Sequence, residues 1–296
     1  MDYLSKYGYS PEMGAINSNL QTIVGSIDTN RTPVVLKKCF SMMDLTTLKS
    51  SDTAESVSKL VGKVNSLRNE FPDYPNPASI CVFPNFASAV CGQRMDPDVH
   101  VTAVSGCFPA SQSFVEVKVK ESEMAVEAGA DEIDIVLALN AFLAGDYDAA
   151  SREIIAIREA VDRVGASLGR KITLKVILET GVLGTVENIA AASFLAMESG
   201  ADFIKTSTGK VDVNATPVAA YVMCECIRKY HAQTGRRVGF KAAGGISNAE
   251  DALSYYLIGL SVLGQEWMCK DLFRFGVSRL GNSLMSTIEQ KTVTYF

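Results

Sequence analysis

The chain has 296 residues, enough for one large or two average domains, and 47% of them are hydrophobic against 21% charged, so a substantial core can be buried. A net charge of −5 argues against a dedicated nucleic-acid binder or a basic membrane-surface protein. No uninterrupted apolar run is long enough to span a bilayer, and the first ten residues lack the apolar stretch of a secretory signal, so a cytoplasmic protein is expected. The seven cysteines are odd in number, scattered and without zinc spacing, and read as reduced thiols.

From about residue 39, apolar strand-like runs alternate with amphipathic helical runs. The spacing predicts strands over 39–44, 79–83, 100–105, 132–138, 172–179, 203–206, 238–242 and 272–276. Helices are predicted near 52–70, 85–93, 115–129, 147–167, 186–199, 216–232, 248–258 and 278–291. Asp52, Thr216 (followed by Pro217) and Ser247 are candidate helix starts, and Gly129 and Gly200 each close a helix just before an acidic residue that opens a strand. Eight β/α pairs in about 250 residues read best as a (β/α)₈ TIM barrel. A doubly wound sheet is the weaker alternative, because no G-x-G-x-x-G follows the first strand. Residues 1–38 are expected to form an N-terminal helical extension over one end of the barrel, with 39–296 as the barrel itself. No Pro-, Gly- or Ser-rich linker divides the chain, so a single domain is expected overall.

Three lysines sit inside apolar strand runs: Lys175, Lys205 and Lys241. Lysine is almost never buried unless paired, and several ammonium groups in one desolvated space suit a site that needs a neutral, nucleophilic amine. Side-chain alternation turns Ile133, Ile135 and Leu137 towards the helices and Asp134 into the barrel. Lys205 and Lys241 fall near the C-terminal strand ends, where barrel enzymes carry their active sites. The bland alternative is an ion-pair network on the barrel floor, which suits Lys175 best, with Glu179 or Asp134 as partner.

A free lysine has a pKa of ~10.4. A second ammonium about 4 Å away at an effective dielectric of about 20 costs roughly 4 kcal/mol, equivalent to about 3 pKa units, and burial acts in the same direction. One lysine of the Lys205–Lys241 pair is therefore the nucleophile and the other the perturbing cation; charge and parity leave open which. An iminium then acts as an electron sink, with Asp134 as the inward carboxylate that moves protons. His100 and His231 lie in no motif and read as structural or exposed. Glycines gather after strands six to eight, at Gly209, Gly244, Gly245 and Gly276, with Lys210, Ser278 and Arg279 beside them, a pattern suited to phosphate; ordinary turn glycines are the alternative.

Five segments together resemble deoxyribose-phosphate aldolase, a cofactor-independent class I family on a (β/α)₈ barrel: Asp202-Phe-Ile-Lys-Thr-Ser-Thr-Gly-Lys210, Val238-Gly-Phe-Lys-Ala-Ala-Gly-Gly245, Lys175-Val-Ile-Leu-Glu-Thr-Gly181, Asp131-Glu-Ile-Asp-Ile-Val136 and Met43-Asp-Leu-Thr-Thr-Leu48. The likeness runs in order from about residue 39 to 285. It implies reversible cleavage of 2-deoxy-D-ribose 5-phosphate to D-glyceraldehyde 3-phosphate and acetaldehyde, without metal or other cofactor. It makes Lys205 the Schiff-base lysine, Lys241 the neighbour that lowers its pKa and Asp134 part of the proton relay. Asp44, Thr208 and Lys210 become substrate-contacting residues, with Lys175 on the substrate side or, with Glu179, supporting the site. Phosphate goes to Gly209, Gly244, Gly245, Gly276 and Ser278.

The implied partners are the sugar phosphate and acetaldehyde, with no nucleic acid or membrane, in a homodimer. The sequence departs from the family pattern after strand three, where the usual Gly-Phe-Pro-x-Gly is Cys107-Phe-Pro-Ala-Ser111, and at Arg279, where a small polar residue is common. The family's C-terminal tyrosine that reaches the site corresponds here to the penultimate Tyr295. Two rival readings remain at this level: a Schiff-base aldolase or transaldolase for another sugar phosphate, and a non-catalytic sugar-phosphate binder.

Overall fold

The computed structural model describes residues 2–296. Eight parallel strands close into a barrel in strict chain order: β1 Met43–Thr46, β2 Ser79–Val82, β3 His100–Val104, β4 Glu132–Val136, β5 Thr173–Ile177, β6 Phe203–Lys205, β7 Gly239–Ala243 and β8 Phe273–Val277. Strand β8 pairs with β1, so no edge is left open. This is the (β/α)₈ TIM barrel expected from the alternation of runs. The strands are short and nearly continuous in buried residues, as parallel strands covered on both faces require.

The helix ring follows the amphipathic runs closely. Helices Ala54–Glu70, Val115–Glu127, Tyr147–Ser167, Val186–Glu198, Pro217–Thr234, Ala249–Leu263 and Leu280–Glu289 fall where the periodicity places them. Thr216 caps its helix through the amide of Ala219, with Pro217 at the first helical position. Two other starts lie one residue further on. Thr53 rather than Asp52 caps Ala54–Glu70 in a reciprocal capping box with Ser56, and Asn248 rather than Ser247 caps Ala249–Leu263. Asp52 is used elsewhere: it accepts from the Thr47 hydroxyl and the Lys49 amide, both 2.8 Å, and so pins the loop after β1.

The first strand also begins later than expected. Residues 39–41 end the helix Pro33–Ser41, which Thr32 caps and whose Leu36, Cys39 and Phe40 share one buried face. The apolar run that reads as a strand is the last turn of a helix joined to a strand. Among the described residues four helices lie ahead of the barrel: Tyr3–Lys6, Met13–Val24, Ile27–Asn30 and Pro33–Ser41. They pack against the outer helices of the last four β/α units. Tyr7 stacks on Phe194 with ring centroids 4.2 Å apart, and Asn19 donates to Tyr221 Oη. Among the described residues no helix is long and apolar enough to cross a membrane.

Candidate active site

Strand register brings the charged residues of the barrel interior into one layer. Lys205 on β6 lies opposite Lys241 on β7, Lys241 opposite Arg274 on β8, and Asp134 on β4 opposite Lys175 on β5. Every charged group in this layer is at most 3% exposed. Asp134 Oδ2 accepts from Lys205 Nζ at 2.9 Å and from Lys241 Nζ at 2.7 Å, while its Oδ1 accepts from Lys175 at 2.8 Å. Lys241 also meets Asp44 Oδ2 at 2.5 Å, and Lys175 meets Glu132 Oε2 at 2.5 Å and Asp44 Oδ2 at 3.7 Å. Arg274 bridges Asp44 and Glu132. His100, half-buried at the start of β3, closes the network with Nδ1 2.7 Å from Glu132 Oε1.

The charge count singles out one residue. Three carboxylates, Asp44, Glu132 and Asp134, face four cations, Lys175, Lys205, Lys241 and Arg274. Lys175 touches three of the carboxylates and Lys241 and Arg274 two each, whereas Lys205 touches Asp134 alone and shares that oxygen with Lys241. Burial pushes Lys205 below the ordinary lysine range, and Lys241 adds to the push, together outweighing the pull of Asp134. For Lys241 burial acts the same way but Asp134 and Asp44 outweigh it and hold the ammonium above its ordinary value. Lys175 is raised likewise, burial being overcome by Asp134 and Glu132. Asp134 lies well below the usual carboxylate range, because Lys175, Lys205 and Lys241 together overcome the cost of its burial. Burial is thus the larger cause of the Lys205 shift, where the sequence argument rests chiefly on repulsion between two ammonium groups; Asp134 standing between the lysines softens that repulsion.

Above this layer, at the C-terminal ends of the strands, opens a cavity of about 270 Å³. Lys205 reaches it from β6, and Thr208, Gly209 and Lys210 follow in the next loop. Gly244, Gly245, Gly276, Ser278 and Arg279 line the other wall, with Thr46 to Lys49 of the loop after β1 between. Besides Lys205, Lys49, Lys210 and Arg279 bring three further cations to this space, and among the described residues no carboxylate lines it, so it suits an anion. The Lys210 ammonium is held by the carbonyl of Leu48. Gly276 is dictated by space: a Cβ there would lie 2.8 Å from Ala243 Cβ and 3.1 Å from Lys241 Cε, so any larger residue would crowd the lysine.

Comparison with known proteins agrees with this geometry. Residues 39–257 match the model of the family described as DeoC/LacD family aldolase. The chain belongs to the DeoC/LacD aldolase family. It is 37% identical over 269 residues to the deoxyribose-phosphate aldolase of Homo sapiens, covering 86% of this chain and 80% of the human protein. The Bos taurus deoxyribose-phosphate aldolase is 39% identical over 258 residues, with 83% and 78% covered. Among solved structures, the deoxyribose phosphate aldolase of Aeropyrum pernix superposes with a TM-score of 0.67 at 25% identity, covering 93% of this chain and 98% of that one. As a DeoC/LacD aldolase the chain is a carbon–carbon lyase.

Within this family frame, the structure brings Lys205, Lys241 and Asp134 together and places Thr208, Lys210, Gly209, Gly244, Gly245, Gly276 and Ser278 on the cavity. It does not place Asp44 or Lys175 there: both have no exposed surface, and their charged atoms are committed to the ion layer beneath. Of the two partners expected for Lys175, Asp134 is one and Glu179 is not; Glu179 lies beyond the end of β5, where strand parity no longer applies, and bonds Thr208. Glu132 and Arg274 are network members that the sequence reading passed over. Both carried a signal: Glu132 shares the inward parity of Asp134, and Arg274 is a charge inside an apolar strand, the same anomaly as the lysines. Tyr295 is held away from the cavity, donating from its hydroxyl to the Lys63 carbonyl at 2.7 Å and packing edge-on against Phe71.

Proposed function

We propose that the chain cleaves 2-deoxy-D-ribose 5-phosphate reversibly to D-glyceraldehyde 3-phosphate and acetaldehyde through a Schiff base on Lys205. One observation carries this reading: Lys205 is the network lysine that opens on the cavity, and it is also the cation left over when the buried carboxylates are matched. A lysine with surplus charge around it loses its proton most readily, and the neutral amine is the nucleophile. The names of the human and bovine relatives support the choice of substrate.

In this mechanism Lys205 Nζ attacks the C1 aldehyde of the open-chain sugar, and loss of water leaves an iminium. A water linked to Asp134 and Lys241 takes the C3 hydroxyl proton as the C2–C3 bond breaks, and the bonding electrons flow into the iminium to give an enamine. D-glyceraldehyde 3-phosphate departs; protonation at C2 and hydrolysis release acetaldehyde and restore the amine. Asp134, 2.9 Å from Lys205, is placed to hold the proton that the lysine gives up and takes back. The phosphate is assigned to the glycine-rich wall, where Gly209, Gly244 and Gly245 adopt left-handed backbone angles of φ 79, 85 and 82 that few other residues tolerate, with Ser278, Lys210 and Arg279 at the rim.

The test is covalent. Acetaldehyde followed by borohydride should add one ethyl mass to the chain, and peptide mapping should place it on Lys205. An adduct on another lysine, or none, overturns the mechanism. Parallel turnover of deoxyribose 5-phosphate and fructose 1,6-bisphosphate decides the substrate: faster cleavage of the bisphosphate would assign the site to a different sugar.

A further inference from the structure

Glu179 is a buried carboxylate that the mechanism above does not use. It is 2% exposed, and among the described residues no lysine, arginine or histidine forms a salt bridge with it. Its backbone is left-handed, φ 54 and ψ 60, a region that residues with a side chain rarely adopt. Glu179 precedes the short helix Thr180–Leu183, yet its side chain makes no capping bond to that helix. It turns instead to the cavity wall: Oε1 accepts from the Thr208 amide at 3.1 Å, and Oε2 accepts from the Thr208 hydroxyl. Both carboxylate oxygens of Glu179 are thereby committed to Thr208. Strain held at one residue beside a functional site points to a role for the geometry it enforces.

That geometry has a chemical consequence. The Thr208 hydroxyl gives its one proton to Glu179 and accepts from the Lys210 amide at 3.1 Å. A hydroxyl has one donor and two acceptor positions, so a single lone pair is left. Thr208 lines the cavity. We propose that Glu179 is a positioning residue that turns Thr208 into an obligate hydrogen-bond acceptor, selecting aldehyde substrates that present a hydroxyl donor at that wall. This rests on the proposed function for the site as an aldehyde-binding one and adds the rule by which it distinguishes a hydroxylated sugar from a bare aldehyde. A wall built to accept from a hydroxyl favours the molecule that carries one over acetaldehyde, which leaves the acceptor unpaired.

Borohydride trapping reads this without requiring turnover. The rate of imine capture is measured at low concentrations of 2-deoxyribose 5-phosphate and of acetaldehyde, and their ratio is compared between the native chain and Glu179→Gln. A glutamine amide can donate to Thr208 and release its hydroxyl proton towards the cavity. The ratio of sugar phosphate to acetaldehyde capture should fall about tenfold, the cost of one lost neutral hydrogen bond at ~1.4 kcal/mol. Thr208→Val should lower the ratio by a similar factor, Thr208→Ser should restore it, and the double variant Glu179→Gln/Thr208→Val should be no worse than either single one. Equal slowing with both aldehydes, or no change in the ratio, overturns the inference. If Glu179→Gln does not fold, the two Thr208 variants decide by the same ratio. A native chain that traps neither aldehyde at Lys205 overturns the proposed function and this rule with it; one that traps both but shows no dependence on Glu179 or Thr208 overturns the rule alone.

Discussion

At the scale of single residues, Asp134 Oδ2 is the balance point of the site, because it receives both Lys205 and Lys241. Replacing Lys241 with leucine leaves that oxygen to Lys205 alone and leaves Asp44 Oδ2 with only the more distant Lys175 at 3.7 Å. The pull of Asp134 on Lys205 is then unshared, so the ammonium form gains. The pH at which acetaldehyde imine forms should rise by about 1–3 units, read from borohydride trapping across a pH series. Removing one partner from a buried ion group also costs stability, roughly 3–5 kcal/mol. An unchanged pH profile would refute the role given to Lys241. Asp134→Asn acts in the opposite direction: it removes the one carboxylate that holds Lys205 charged. Imine trapping should begin at lower pH than in the native chain, while turnover falls by about 10²–10⁴ for want of a proton carrier. The core trio was legible because charges inside apolar runs are conspicuous and strand parity tells which face they take. The Glu179–Thr208 contact was not, since it lies past the strand, where parity fails and a left-handed residue redirects the chain.

At the scale of elements, the loop after β3 carries a local conflict. Cys107 and Ser111 have φ 59 and 56, and they are the two positions at which the family motif has glycine. A side chain in that region costs about 1 kcal/mol. The loop persists because its surroundings hold it: the Cys107 amide donates to Glu121 at 2.7 Å, the Ser111 amide donates back to the Cys107 carbonyl at 3.0 Å, and Phe108 packs on Phe83 beside Leu48, Cys81 and Val104. Neither anchor needs the Cys107 or Ser111 side chain. Cys107→Gly and Ser111→Gly should therefore each stabilise the chain by up to about 1 kcal/mol, seen as a thermal midpoint higher by ~2 °C in calorimetry. A lower midpoint would mean that the side chains contribute packing that outweighs the strain. Elsewhere the elements follow from pattern: strand and helix periods differ, and caps such as Thr216–Pro217 mark their ends. The exception at residues 39–41 has a plain cause. A buried helix turn and a buried strand are both apolar, and a run that passes from one to the other has no period long enough to tell them apart.

At the scale of the whole molecule, the barrel is held by charges as well as by its apolar shell, and the two kinds of charge respond oppositely to pH. Burial works against the Asp44 carboxylate, but Lys241, Arg274 and Lys175 outweigh it and lower it from 3.8 to about 2, while Glu132 and Asp134 lie well below their ordinary values. A carboxylate more acidic in the folded chain than in the unfolded one stabilises the fold above its unfolded pKa, and that stability is lost as pH falls through the folded one. Asp44 alone accounts for about 2 kcal/mol. Stability should be level from neutral pH to about 4 and decline steeply below it, towards pH 2. Lys175 and Lys241, raised in the fold, contribute below their ordinary value and lose that contribution only at higher pH.

Lys205 has the reverse sign. Its pKa is lowered, so below the ordinary lysine range its charge costs the fold stability. Lys205→Met should consequently leave a network of three carboxylates and three cations in which Asp134 keeps Lys175 and Lys241, and its thermal midpoint at pH 7 should equal or exceed that of the native chain, whereas Lys241→Leu falls. A midpoint for Lys205→Met as low as that of Lys241→Leu would show that Lys205 is an ordinary member of the network, and would remove the charge argument for its reactivity. In the proposed mechanism this surplus cation, which lines the cavity, is the reactive amine, and a midpoint raised by Lys205→Met would make its retention a stability–activity trade-off.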